Sequence, residues 1–352
     1  MKILLIALSG IGDALMFTPA LQKLKEHYPD SNIDALVMFN GVKDIYERLP
    51  EINNIHHFDF LNSSPIAALK YIISLRKKYD VSINVYPSNR KEYNIISFLI
   101  GADKRAAVKY LRSGFSNLSF LNNILFVEND ELHNVEENIK LVEKLTGNEI
   151  KEIPPYSFPL TGEDENIAAA FLSDLGINED EKIIGFHAGC STLKNHIHRR
   201  WAPANFAELA KKLIDKNYKV LIFGGPEEAE LKTEISNKVN SENFIKVDTK
   251  SLAHSAAVMQ HCQAFVTNDS SLMHVASALQ LNVAAIIGPT NTNYIRPWKT
   301  NHKVVSLNLD CSPCFFYSPK PLTCSRTDVK FKCVKEISVE MVLNTVEELL
   351  KK

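Results

Sequence analysis

The first 29 residues, `MKILLIALSGIGDALMFTPALQKLKEHYP` (1–29), decide how the rest of the chain is read. Residues 3–8 form an unbroken apolar run of strand length. Ala14, Leu15, Phe17, Leu21 and Leu24 then recur at helical spacing. Ser9-Gly10-Ile11-Gly12 is left as the turn between them, and it is followed at once by a carboxylate, Asp13. Open α/β sheets bind ligands at the carboxyl edge of their strands, and glycines there allow close approach. A secretory leader fits poorly, because the apolar core is short, an acid follows it and no small-x-small cleavage site precedes the helix. A dinucleotide fingerprint would need its third glycine where Leu15 stands. Asp13 as a helix cap with no further role stays open.

The chain has 352 residues, enough for two domains each with its own core. Hydrophobic residues make up 45% and charged residues 23%, the balance of a soluble globular enzyme. No apolar run approaches the roughly 18–20 residues of a membrane span. The formal net charge is only -1, yet ten basic residues against three acids fall between Lys70 and Arg112. That stretch reads either as a site for an anionic partner or as a solvated lysine-rich face.

Strand and helix signals alternate along both halves. In the first half, strands are expected at 3–8, 33–38, 81–85 and 106–108, and helices at 64–78, 91–100 and 134–146. The segment `KEIPPYSFPL` (151–160), with three prolines, reads as a linker. The second half restarts with strands at 182–186, 219–223, 244–246, 264–267, 283–287 and 304–307. Helices lie between them, and a last helix spans 339–351. The expectation is α/β, with two doubly wound parallel sheets: a first domain over 1–155, a second over 160–335, and a terminal helix, 336–352, turning back toward the first domain. Such a pair places a ligand cleft between the carboxyl edges of the sheets.

Three loops of the second half carry chemistry. In `GFHAGCSTLKNHIHRRWAPANF`, the small residues Gly189, Cys190 and Ser191 follow a strand, and Arg199 and Arg200 precede a helix. Backbone N–H groups and arginines of this kind suit phosphate. In `VLIFGGPEEAEL`, Glu227 and Glu228 either start a helix favourably or bind paired ribose hydroxyls. In `AFVTNDSSLMHVASAL`, Asp269 reads as a helix cap, while Ser270, Ser271 and His274 lie beside the N–H groups of a helix start that suit an anion.

Taken in order, `GIGDALMFTPAL`, `HAG…RRWAPANFAELAKKL`, `FGGPEE`, `NDSSLMHVASAL` and `IIGPT` resemble glycosyltransferase family 9, the ADP-heptose:lipopolysaccharide heptosyltransferases. `YDVSINVYPSNRKEYNIISFLIGADKR` is similar to the family's acceptor-side stretch, and `CSPCFFY…C…C` to its late cysteines. The resemblance implies a GT-B fold, two facing Rossmann-like domains with a cleft between them. It implies inverting, metal-independent transfer of a heptose or related sugar from an ADP-activated donor to a hydroxyl of an anionic lipopolysaccharide core. Asp13 matches the family's catalytic base. Gly189, Cys190, Ser191, Arg199, Arg200, Glu228 (or Glu227), Asp269, Ser270, Ser271 and His274 fall on the donor side, and Gly12, Arg90, Lys104 and Arg105 on the acceptor side. Serines at 270 and 271 replace the family's usual Thr-Gly, Arg199 replaces a lysine, and the loop from Gly189 to His198 is longer than usual.

No Asp-x-Asp pair occurs in the sequence, which agrees with a transfer that requires no metal cofactor. The spacing of Cys311, Cys314, Cys324 and Cys333 permits a structural zinc, although only the first pair is closely spaced. The implied setting is cytoplasmic, peripheral on the inner face of the inner membrane, with a glycolipid acceptor and no nucleic acid. A nucleotide-sugar epimerase of similar build and a non-catalytic nucleotide or carbohydrate binder are the alternatives.

Overall fold

Complete burial of Ile3, Leu4, Leu5 and Ile6 makes the first apolar run the central strand of a sheet. The computed structural model describes residues 1–178, 180–317 and 320–351. The chain divides into two units, Met1–Pro159 joined by Tyr317, and Leu160–Phe316 with Lys320–Lys352.

In the first unit the strands are β1 (Lys2–Ala7), β2 (Asn32–Val37), β3 (Asn54–His57), β4 (Val81–Asn84), β5 (Lys104–Lys109) and β6 (Ile124–Val127). They are parallel in the order β3-β2-β1-β4-β5-β6. Its helices are α1 (Ile11–His27), α2 (Asn40–Tyr46), α3 (Pro65–Ser74), α4 (Lys91–Ile100) and α5 (Asn134–Thr146). The edge strands β3 and β6 carry half-exposed residues and no buried run, so the sequence pattern did not reveal them.

Helix α1 holds a proline, Pro19, in its interior. Pro19 has no N–H to give the carbonyl of Leu15, and the Thr18 hydroxyl donates to that carbonyl instead, at 2.8 Å. Thr18 Oγ1 also accepts the N–H of Ser157 at 2.9 Å, which pins the proline-rich linker against α1.

In the second unit the strands are β7 (Ile183–His187), β8 (Lys219–Phe223), β9 (Phe244–Lys246), β10 (Ala264–Asn268), β11 (Val283–Ile286) and β12 (His302–Val305). Their order is β12-β11-β10-β7-β8-β9, the same winding as the first sheet. The helices are α6 (Gly162–Asp174), α7 (Pro203–Ile214), α8 (Ala229–Val239), α9 (Leu252–Met259), α10 (Ser271–Ala278), α11 (Thr292–Ile295), α12 (Lys332–Lys335) and α13 (Val339–Leu350). Helix α6 was not anticipated. It starts straight after the linker, where Thr161 and Asp164 form a reciprocal cap.

The terminal helix α13 buries Val342, Leu343, Val346 and Leu349 in the core of the second unit, with Phe206 of α7 and Ile286 of β11. Its apolar stripe completes a face of the second sheet, and that burial fixes where it packs. Among the described residues no helix is long and apolar enough to cross a membrane.

Candidate functional site

In each sheet the connections run to one side of the first strand and then to the other. This leaves a switch point at the carboxyl ends of β1 and β4 in one unit, and of β7 and β10 in the other, where ligands of such folds bind.

At the second switch point the strand β7 ends on His187, which is 3% exposed. Its Nε2 lies 2.9 Å from Glu228 Oε2, and its Nδ1 lies 2.7 Å from Ser270 Oγ. One imidazole thus ties the loop after β8 to the start of α10. Glu228 Oε2 also accepts the Gly225 N–H at 3.3 Å, and Arg200 Nη2 stands 3.8 Å from Oε1. Burial pushes the Glu228 carboxyl up, but the His187 hydrogen bond and the His187 and Arg200 charges outweigh it, leaving a net downward shift. Glu228 is buried whereas Glu227 is exposed, so the structure separates the two acids weighed for this position. Gly189 is required here, since a Cβ on it would lie 1.5 Å from Glu228 Oε1.

Asp269 is not the cap of α10. The residue in that position is Ser270, and the Asp269 carboxylate faces Arg199 Nη1 and the Thr290 hydroxyl, each 2.6 Å from Oδ2. A buried carboxylate takes a cation and a hydroxyl in preference to its own backbone because both compensate lost hydration. Arg199 is held further by the His196 ring, whose Nδ1 accepts from Nη2 at 3.1 Å, and its guanidinium lies 5.8 Å over Phe315. His196 is lowered to about 4, first by burial and then by Arg199. His274, inside α10, is lowered to about 4 by burial, with Asp269 opposing. Both rings are neutral near pH 7.

Cys190 is buried. Its carbonyl accepts from Arg200 Nη2 at 2.7 Å, its thiol points to the His196 carbonyl at 3.2 Å, and burial pushes that thiol up. Ser191 is exposed and turned toward the Leu193 N–H, 3.3 Å away, while Ser271 opens α10. All ten residues that the resemblance places on the donor side therefore gather at the carboxyl edge of the second sheet.

Several supporting residues escaped the sequence reading. Asn268 accepts the Trp201 N–H at 2.9 Å and donates to the Ala188 carbonyl at 2.7 Å, locking two of the loops together. Lys232, 3% exposed, donates to the carbonyls of Gly224 and Val247 and pairs with Asp248. His187 and Asn268 each end a buried strand with a polar side chain, a pattern visible in the sequence. Lys232 carries no such sign, because only the folded helix aims it inward.

At the first switch point, Ser9 Oγ donates to the Pro87 carbonyl at 2.6 Å and contacts Tyr93 Oη at 2.7 Å, joining the edges of β1 and β4. Asp13 is half-buried at the third position of α1, and its Oδ2 accepts the Gly10 N–H at 3.2 Å. The cap contact is therefore real. Gly12 beside it is buried, and Arg90, exposed, precedes α4 on the same edge. The phenols of Tyr46 and Tyr93 are pushed up by burial, with a further contribution from Asp13.

Lys104 and Arg105 do not join this group. They open β5, opposite Val81 and Ser82, at the amino edge of a parallel sheet. Four to five residues of strand, roughly 15 Å, separate that edge from the Asp13 turn. Arg105 is also committed, donating to the carbonyls of Leu121 and Ala102 at 3.0 and 2.7 Å. The sequence count of basic residues could not tell one end of a strand from the other.

The four late cysteines are free thiols in one neighbourhood. Burial, with Cys314, Cys324 and Cys311 nearby, pushes Cys333 up to about 11. Among the described residues no group of three or more His, Cys, Asp or Glu is set to hold a metal ion.

The chain is similar along its length to known proteins. The model of glycosyltransferase family 9 (heptosyltransferase) matches residues 68–322. Lipopolysaccharide heptosyltransferase 2 of Salmonella typhimurium is 28% identical over 317 residues, covering 87% of this chain and 88% of that protein. Lipooligosaccharide heptosyltransferase 2 of Campylobacter jejuni is 27% identical over 366 aligned positions, covering 100% of this chain and 99% of that protein. The structure of Escherichia coli ADP-heptose LPS heptosyltransferase II shares the fold, with a TM-score of 0.76 at 24% identity, covering 100% of this chain and 99% of that one. The two Rossmann-like halves are thus those of a GT-B protein, and the chain belongs to glycosyltransferase family 9 and is a glycosyltransferase.

Proposed function

We propose that this enzyme transfers a heptose from ADP-heptose to a hydroxyl of a lipopolysaccharide core acceptor, with inversion and with no metal required. The observation that carries the reading is the second switch point, where Glu228, Arg199, Arg200 and the start of α10 converge. In this reading Glu228 takes the ribose hydroxyls. Arg199, Arg200 and the first N–H groups of α10 take the diphosphate, and they meet the charge that builds on it as the anomeric C–O bond breaks. His274 is a packed neutral ring that supports α10. Asp13 removes the proton of the acceptor hydroxyl while its oxygen bonds to the anomeric carbon from the opposite side. Arg90 is the cation placed to meet an anionic acceptor. The names of the relatives support the sugar and the acceptor class, and an acceptor of that class implies work at the cytoplasmic face of a membrane.

The test is incubation with ADP-heptose and purified heptose-deficient lipid A–core, read by mass spectrometry. A gain of one heptosyl unit with release of ADP is expected. Release of free heptose alone, or turnover only with another nucleotide sugar, would overturn the assignment.

A further inference from the structure

Helices α3 and α4 pack side by side on one face of the first sheet. Ile72 and Leu75 from the first, and Tyr93, Ile96 and Ile100 from the second, close over Leu4 and Ile6. A surface helix with its core stripe satisfied normally turns polar residues outward. Helix α3 does the reverse, since Ile66, Leu69 and Ile73 are 69%, 49% and 44% exposed. Their i, i+3, i+7 spacing lines them along one stripe. On α4, Phe98 is 50% exposed. Beyond it, two short helical turns, Gly114–Asn117 and Ser119–Leu121, expose Phe115 and Phe120. Those turns are anchored to α4 through Asn94, which donates to the Asn117 carbonyl at 2.7 Å.

Cations stand around these residues. Lys70 lies within α3, Arg76, Lys77 and Lys78 follow its end, and Lys91 opens α4, all of them exposed. Arg76 ties the ends of the two helices together by donating to the Leu99 carbonyl at 3.1 Å. Apolar and aromatic side chains interleaved with lysines form the composition that seats a helix in the interface of an anionic bilayer. The exposed acids beside them, Asp80 and Glu92, are outnumbered by these five cations, so the rim is net basic.

We propose that the outer face of α3 and α4 docks this enzyme on an anionic membrane surface, with Ile66, Leu69 and Ile73 entering the interface and the flanking lysines binding lipid headgroups. The proposal draws on the lipid-linked acceptor of the preceding reading only for its purpose, because docking is measured without donor or acceptor. It also gives the basic stretch a role distinct from holding the acceptor.

The experiment is vesicle co-sedimentation of the full chain. Vesicles contain phosphatidylcholine with about one third phosphatidylglycerol, or phosphatidylcholine alone. Wild type is expected to bind the anionic vesicles and to be released by raised salt. A combined Ile66→Ser, Leu69→Ser, Ile73→Ser variant should bind at least about tenfold more weakly. A Lys70→Gln, Lys77→Gln, Lys78→Gln variant should retain only weak, salt-insensitive binding. Circular dichroism checks folding, and Leu69→Ser alone serves if the triple variant unfolds. No binding by wild type, or equal binding by the folded variants, would overturn the proposal. So would wild-type self-association that the apolar substitutions abolish, which would assign the face to a second copy. Transfer to a water-soluble core oligosaccharide should be unchanged in all variants. Its absence in wild type would count against the proposed function and leave the vesicle result standing.

Discussion

His187 Nε2 and Glu228 Oε2 stand 2.9 Å apart in a buried pair, while the other ring nitrogen reaches Ser270. The imidazole therefore sets the position of a carboxylate on one loop and of a hydroxyl at a helix start on another. His187→Gln keeps one polar end and cannot span both. It is expected to raise the donor KM by about tenfold, one to two hydrogen bonds' worth, with a smaller change in acceptor KM. Steady-state kinetics on both substrates check it, and parallel changes in the two constants would show a general structural role. Gly189→Ala should act the same way, because its methyl collides with the carboxylate that His187 holds.

Asp13→Asn is expected to lower kcat by about 10²–10⁴-fold if the carboxylate is the base, with donor affinity near wild type. Because Asp13 also accepts the Gly10 N–H, Asp13→Ala should cost about 0.5–2 kcal/mol of stability in addition. Asn retains an oxygen acceptor, so it separates the two roles. An Asp13→Asn enzyme that turns over normally would reduce Asp13 to its cap.

Arg199→Ala leaves Asp269 buried with the Thr290 hydroxyl but without its cation. Breaking such a pair costs about 3–5 kcal/mol, the lower end where a hydrogen bond survives. The variant should therefore melt below wild type as well as bind nucleoside diphosphate more weakly. Adding Asp269→Asn should recover part of the melting temperature and none of the affinity. Calorimetry on the single and double variants tests both statements.

Glu137 is fully buried, with Oε1 accepting the Asn129 N–H at 2.6 Å and Oε2 lacking a hydrogen-bond partner. Burial, the Asn129 N–H opposing, and the nearby Glu128, Asp130 and Glu136 raise it from 4.5 to about 8. The folded state then holds a proton that the unfolded chain releases above its ordinary value. Stability from this group is present below about pH 4.5 and is lost as pH rises through about 8. Glu137→Gln should flatten that slope and raise the melting temperature at pH 8 more than at pH 5, by ~1–3 kcal/mol in stability. Thermal melts across this range decide it, and an unchanged slope would place the proton elsewhere.

Protein purified without chelator is expected to carry no stoichiometric zinc or iron. Arg326 donates to Cys311 Sγ at 3.6 Å, and a cation beside a thiol works against binding a second one there. A stoichiometric metal that is lost in Cys314→Ser would reverse this expectation.

The sequence by itself determined the parallel α/β class of both halves, since fully buried strands leave apolar runs and the helices between them leave a 3.6-residue period, while the half-exposed edge strands β3 and β6 left no such run. It also determined the chemical character of the sites, because glycines, arginines and polar residues directly after buried strands can only meet at a carboxyl edge. The tertiary structure alone decided which partner each of these side chains takes. Asp269 read as a cap and is an ion-pair acceptor, Glu227 and Glu228 looked equivalent and only one is buried, and Lys104 and Arg105 sit at the wrong end of their strand. The linking residues, His187, Asn268 and Lys232, act through contacts between residues 8 to 83 apart in sequence. Periodicity reports the burial of a residue within its own element. Distances between elements arise only when the sheets close, and that step chose the hydrogen-bond partners of this site.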